Sequence, residues 1–217
     1  MLRLPALTAV CVLTLVAGCS GSADEAAVSN PGGAIHQSGA DTDGFRGVGL
    51  SQHYRMPDIT LTDSSGSAYN LVRDTTKPVT LVFFGYTNCP DVCSMVMADV
   101  ASAFTRLEPK VAANVQMVFV TTDPARDTPE VVGEYVDRFH PSFEGVTGPM
   151  RRIKAAAEPL GVPIEGMNRL PGGGYEVGHG SQVIGFAADD TARVVWTEGT
   201  PVGDLVGDVQ TLAGLPG

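Results

Sequence analysis

Cys89 and Cys93 stand four positions apart in Cys89-Pro90-Asp91-Val92-Cys93. Thiols at that spacing have two uses. Side chains four apart on a helix share a face, with Cβ atoms ~5–6 Å apart. A disulfide wants about 3.8 Å between them, so a bond needs modest adjustment. The same pair can instead grip one soft metal ion. Cu(I) prefers thiolate and accepts imidazole, whereas Zn(II) usually takes four ligands. With two thiols and few histidines, a three-ligand Cys-Cys-His site is the natural copper reading, and a plain stapling disulfide is the alternative. Asn88 and Pro90 beside the pair favour function. They put the first cysteine at a helix start, where unpaired N–H groups and the helix dipole favour a thiolate.

Four histidines are available for a third ligand. His36 and His53 lie in or near a polar N-terminal stretch and read as solvated. His140 precedes Pro141 at a helix end, where the dipole accounts for it. His179 follows a Gly-rich segment and precedes a strand, so it can face a helix N-terminus or simply sit in a loop. Asp123-Pro124-Ala125-Arg126-Asp127-Thr128-Pro129 follows a buried strand. Strand ends of open α/β sheets are where sites collect, so Asp123 and Asp127 are candidates for orienting a ligand or pairing with Arg126. Asp and Pro are also ordinary turn and cap residues. Met95 and Met97 carry thioethers on the cysteine helix, though helix methionines more often fill gaps in a core. Trp196 and Phe83-Phe84 read as core, and the remaining acidic residues as solvated surface.

These residues need a frame. Pro57–Leu61 and Ser67–Leu71 around Asp63-Ser64-Ser65-Gly66 read as a β-hairpin. Val79–Tyr86 is a nearly continuous apolar run, the pattern of a strand buried on both faces. Pro90 fits a first helical position. Val92, Val96, Val100, Phe104 and Leu107 make one apolar stripe, and Pro109 closes that helix. Val115–Thr121 reads as a second buried strand. Asp127 or Thr128 caps the next helix, which ends near His140-Pro141. Phe143–Val146 reads as a short strand, residues 149–160 as helix and residues 165–178 as a long mobile loop. Val183–Ala188 and Arg193–Thr197 form a hairpin, and a last helix runs from Thr200-Pro201 to about Leu212. Strands alternating with helices predict an α/β layered sheet with a mixed edge.

The ends of the chain speak to its compartment. Arg3, the apolar stretch Leu4–Val16 and Leu15-Val16-Ala17-Gly18-Cys19 describe an export signal over residues 1–18. An uncleaved anchor helix is the alternative. The Leu-Val-Ala-Gly-Cys ending resembles a bacterial lipobox, which implies that Cys19 is lipidated and becomes the first residue of a membrane-anchored protein. Residues 19–50 read as a flexible tether with a reach of about 30 Å, and residues 51–217 as one folded domain. Cys11 leaves with the signal, so Cys89 and Cys93 remain as the free thiols of the domain, in a compartment where disulfides persist. The chain carries 14 basic and 24 acidic residues in 217, a net charge of −10. It has no basic footprint with which to neutralise phosphates, which argues against nucleic acid.

Taken together, the domain resembles the SCO/SenC family of copper-binding thioredoxin-fold proteins, from about Pro57 to the C-terminus. The resemblance is carried by Phe83-Phe84-Gly85-Tyr86-Thr87-Asn88-Cys89-Pro90-Asp91-Val92-Cys93, by Thr121-Thr122-Asp123-Pro124-Ala125-Arg126-Asp127-Thr128-Pro129, by the Tyr175…His179 block and by the early hairpin. It implies a thioredoxin-like mixed sheet flanked by helices, with an additional N-terminal β-hairpin. It implies copper ligation by Cys89, Cys93 and His179, on the extracytoplasmic face of the cell membrane. The implied partner is subunit II of cytochrome c oxidase, whose dinuclear copper centre receives copper or has its thiols kept reduced. The family usually has an acidic residue before the histidine and a serine after it. Here Gly178 and Gly180 flank it, which predicts a looser loop.

A rival reading uses the same cysteines as a thiol–disulfide oxidoreductase. Three residues separate them where thioredoxins have two, and no Thr-Pro precedes Val183 where thioredoxins carry a cis-proline. A copper site needs the histidine; simple exchange does not.

Overall fold

The computed structural model describes residues 29–30, 33–34, 44–50, 53–90, 92–171 and 174–214. The export signal, Cys19 and most of the tether lie outside the described residues. Val48–Gly49 forms β1, and Thr60–Asp63 and Ala68–Asn70 form the hairpin β2–β3. Then follow β4 (Val79–Gly85), α1 (Val92–Arg106), the short α2 (Pro109–Ala112), β5 (Val115–Thr121) and α3 (Pro129–Asp137). The second half holds β6 (Phe143–Thr147), α4 (Met150–Ala157) with a 3-10 turn at Glu158–Leu160, β7 (Ile164–Arg169) and β8 (Tyr175–His179). It closes with β9 (Val183–Phe186), β10 (Ala192–Trp196) and α5 (Val202–Ala213).

Eight strands form one mixed sheet in the order β1-β10-β9-β4-β5-β6-β2-β3. Its centre is β4, parallel to β5 in the register Val79↔Val115 to Gly85↔Thr121, and antiparallel to β9 on the other side. The order β10-β9-β4-β5 with those directions is the thioredoxin-like core that the resemblance implied. Every residue of β4 is buried, as its continuous apolar run predicts. Alternation along β4 divides the core between two layers. Leu81 and Phe83 pack with Val96, Met97 and Val100 of α1, Val132 and Tyr135 of α3, and Leu205 and Val209 of α5. Val82 and Phe84 pack on the other face with Ile153, Ala156 and Leu160.

Several expectations need correction. Residues 165–178 are not a loop: β7 and β8 pair antiparallel, Tyr175↔Arg169 to His179↔Ile164, as a separate two-stranded sheet. Glycine at 174, at φ +80°, provides the turn. Gly178 lies within β8 at an irregularity in the pairing, with Glu165 against it so closely that a Cβ would fall 2.9 Å from a carboxylate oxygen. It therefore permits a close strand contact instead of loosening a loop. Helix α1 starts at Val92, not Pro90, which makes Cys93 its second residue instead of one turn in. Pro109 begins α2 instead of merely ending α1.

The folded unit also begins before residue 51. Phe45 is buried, β1 pairs with β10, and the Arg46 and Gly47 N–H groups each donate to Asp208 at 2.8 Å. Asp208 also accepts from Trp196 Nε1 at 2.8 Å and is itself buried. It is a structural acceptor rather than part of the solvated acidic surface.

Candidate metal centre

Three elements converge at the C-terminal end of β4. The strand delivers Gly85 and Tyr86, then turns sharply, with the Cys89 N–H donating to the Tyr86 carbonyl at 3.2 Å. That turn leaves Cys89 half-buried in the loop, while α1 carries Cys93 fully into the core. Opposite them, β8 ends at His179. The Cys89 and Cys93 sulfurs and one His179 ring nitrogen all lie within 4.8 Å of one another. They are the only group of three or more potential metal-ligating side chains found among the described residues. The sequence expectation for His179 is therefore met in space: a residue 86 positions from Cys93 arrives beside it.

The histidine is held in one orientation and one tautomer. Its Nδ1–H donates to the Gly180 carbonyl at 2.8 Å. That bond leaves the Nε2 lone pair facing Cys93 Sγ, 3.3 Å away. The ring meets Tyr86 edge-on, with centroids 5.5 Å apart at 90°, and Phe83 at 6.3 Å. Gly85 makes room for the thiol: a Cβ there would lie 3.1 Å from Cys93 Sγ and 2.9 Å from the Phe119 ring.

No disulfide joins the two cysteines. The thiolate expected at the helix start concerned Cys89; Cys93, deeper in the core, is pushed the other way. The hydrogen bond with Cys89, then burial, push its thiol well above the ordinary range, and a backbone hydrogen bond from Tyr86 only partly opposes them. Cys93 is thus held as the protonated thiol. Burial likewise pushes the Tyr86 phenol up to about 12, so it remains a neutral hydrogen-bonding group.

The donor set fits a soft ion. Three donors around one ion at about 2.1–2.3 Å stand roughly 3.8 Å from each other. The Cys93–His179 separation of 3.3 Å and the 4.8 Å limit for the trio bracket that value. Two sulfurs and one imidazole, half-enclosed by aromatic rings, suit Cu(I) better than a hard ion.

Asp123 and Asp127 act one step away from the donors. Asp127 is fully buried and accepts from the Thr87 N–H (3.0 Å), the Thr87 hydroxyl (2.6 Å) and the Thr121 hydroxyl (2.6 Å). It therefore ties the start of the cysteine loop to the end of β5. Asp123 pairs with Arg126 and accepts from the Tyr175 hydroxyl at 3.0 Å. Thr128, not Asp127, caps α3 through the Val131 N–H. The roles of Thr87, Tyr86, Gly85 and Tyr175 escaped the sequence reading, although all four lie in its quoted blocks.

Other candidates fall elsewhere. His140 packs on Phe104 and Phe143 and bonds to Ser142. His53 is exposed, and His36 lies outside the described residues. Met97 fills the core, while Met95 is 46% exposed.

Comparison with known proteins points one way. The family model described as SCO1/SenC matches residues 51–214. A putative copper-binding protein of Stutzerimonas stutzeri is 28% identical over 145 residues, covering 66% of this chain and 70% of that one. Other curated relatives are matched over only 30% and 48% of their own lengths. The solution structure of apo Sco1 from Thermus thermophilus superposes with a TM-score of 0.68 at 32% identity, over 77% of this chain and 96% of that one. Yeast Sco1 with copper bound superposes at 0.66 and 26% identity, over 73% and 87%.

Proposed function

The chain belongs to the SCO1/SenC family, and from that premise we propose that it is an extracytoplasmic copper metallochaperone for the copper centre of cytochrome c oxidase. The observation that carries this reading is the convergence of Cys89, Cys93 and His179 within 4.8 Å, with Nε2 of the histidine already turned inward by the Nδ1–Gly180 bond. A yeast relative of the same fold is described with copper bound, and the relative from Stutzerimonas carries copper binding in its name.

Copper is cargo in this reading. Cys89 and Cys93 give up their protons and hold Cu(I) as thiolates, with neutral His179 as third donor. Half-exposed Cys89 is the donor an incoming client thiolate can replace first, while buried Cys93 and His179 keep their hold until the exchange is complete. Between sites of similar softness the transfer needs no oxidant. Oxidation of the pair to a disulfide removes both sulfur donors and so ends binding. Lipidation at Cys19 would tether the domain to the outer face of the cell membrane, within reach of subunit II.

One observation favours a second reading at the same site: the two cysteines are in the dithiol form, one half-exposed and one buried. Cys89 thiolate can attack a client disulfide, and Cys93 then displaces the mixed disulfide. The client gains two electrons and two protons and the chain retains a Cys89–Cys93 disulfide.

Mixing the copper-loaded domain anaerobically with the apo, reduced copper domain of a subunit II separates these readings. The chaperone reading expects copper to move to the client, read as the metal content of the two proteins after separation. Copper that stays with the chain, while an oxidised client is readily reduced, would replace it with the oxidoreductase reading. Cys19→Ser is expected to move the protein from the membrane fraction to the soluble fraction.

A further inference from the structure

The hairpin β7–β8 stands apart from the main sheet, and five of the six residues of β7 are exposed. A lone two-stranded hairpin is marginal in water. Yet its last residue, His179, must stay registered against a thiol 3.3 Å away. Something outside the hairpin has to hold it.

We propose that Arg126, fixed by Asp123, clamps Tyr175 and thereby positions His179 for metal ligation. The proposal rests on the copper reading of the site, and it assigns to the Asp123–Arg126 pair a role at the far end of β8. The guanidinium carbon of Arg126 lies 3.7 Å from the Tyr175 ring centroid, in a stacked cation–π contact. Its Nη2 donates to the Tyr175 carbonyl at 3.4 Å. The Tyr175 hydroxyl donates in turn to Asp123 Oδ1 at 3.0 Å, while Arg126 Nε pairs with Asp123 Oδ2. Side chain and backbone of one hairpin residue are thus gripped by one ion pair.

The grip has a rigid footing and a direct line to the ligand. Asp123 is 3% exposed and sits just past β5, its N–H donating to Thr121 Oγ1 at 3.0 Å. On its other side Arg126 lies 5.7 Å from the Tyr86 ring, the same ring that meets His179 edge-on. Tyr175 opens β8 and His179 closes it, so the clamp holds one end of a short strand and the ligand hangs from the other. Buried Val177 between them seats the strand on the core.

Arg126 and Tyr175 are positioning residues: neither offers a donor to the metal. Their test reads the apo protein as well as the loaded one. Hydrogen exchange of residues 164–179 is measured for wild type, Arg126→Ala, Arg126→Lys, Tyr175→Ala and Tyr175→Phe, followed by Cu(I) affinities with and without His179→Ala. Arg126→Ala and Tyr175→Ala are each expected to speed exchange at residues 175–179 about tenfold and to weaken Cu(I) binding about tenfold, the scale of one stacked, hydrogen-bonded cation. Arg126→Lys behaves like the alanine variant, since lysine keeps the charge but not the planar stack. Tyr175→Phe keeps the stack and loses about threefold.

In the His179→Ala background, Arg126→Ala adds no further loss, because the clamp acts only through that histidine. Unchanged exchange in Arg126→Ala and Tyr175→Ala, or an equal copper loss in both backgrounds, overturns the proposal. If wild type binds no tight copper, the copper reading fails while the exchange comparison still decides whether the clamp exists.

Discussion

Replacing Asp127 probes how the cysteine loop is held in place. Its carboxylate is fully buried and accepts three hydrogen bonds, two of them from Thr87, two residues before Cys89. Asp127→Ala strands the buried Thr121 hydroxyl and the half-buried Thr87 amide and hydroxyl. Each unmet buried donor costs about 1–3 kcal/mol, partly recovered as the hydroxyls rotate to other acceptors. The expected loss is therefore about 3–5 kcal/mol, or roughly 8–15 °C in Tm for a domain of this size. Asp127→Asn behaves differently. Its amide oxygen, in the place of Oδ2, still accepts from the Thr87 N–H and the Thr121 hydroxyl, and the Thr87 hydroxyl can turn to accept from the new NH2, so the loss is the charge assistance alone, about 1–2 kcal/mol. Urea unfolding of the reduced apo domain measures both, and Cu(I) affinity of the Asn variant reports whether Cys89 has moved. A loss below about 1 kcal/mol for Asp127→Ala, or equal losses for Ala and Asn, would refute the reasoning that these three bonds anchor the loop.

Further outcomes follow from the same geometry. Gly85→Ala places a methyl 2.9 Å from the Phe119 ring and 3.1 Å from Cys93 Sγ. Overpacking should cost about 1–3 kcal/mol and weaken copper binding by displacing the thiol, both read in one denaturation and titration series. The raised Cys93 pKa sets a sign for apo stability. Its contribution is fully present below the unfolded thiol's pKa and lost as pH rises through the folded one. Denaturation of the reduced apo protein should thus show stability falling by up to about 1.4 kcal/mol per pH unit above pH ~9, and Cys93→Ser should flatten that slope. Asp208→Ala removes the acceptor shared by Arg46, Gly47 and Trp196. Red-shifted Trp196 emission and faster exchange over residues 44–50 are expected, with Cu(I) affinity within about threefold of wild type.

The legible parts of the fold were those whose pattern is local. The unbroken apolar runs of β4 and β5 and the stripe on α1 showed themselves because burial on two faces, or on one helical face, leaves a periodic signature. The hairpin β7–β8 left none. Ile164–Arg169 is almost wholly exposed, so no alternation marks it, and it is held by Arg126 and Tyr175, whose meeting depends on tertiary structure. The raised Cys93 thiol was not legible for a related reason. Helix position is read from sequence, but the depth of burial and the Cys89 hydrogen bond that outweigh it are not. Asp127 read as one of two possible caps and as a candidate for orienting a ligand. Its use as an acceptor for Thr87 becomes visible only when β4 and β5 lie side by side.

An anaerobic Cu(I) competition titration of reduced residues 44–217, with Cys89→Ser, Cys93→Ser and His179→Ala alongside, tests the central claim most directly. The account predicts one tight equivalent, abolished in each cysteine variant and weakened in the histidine variant. Tight binding should strengthen at least tenfold per pH unit between pH 6 and 8, because loading displaces at least the Cys93 proton. Absence of a tight equivalent in wild type, or full affinity retained without His179, would contradict a three-donor copper site.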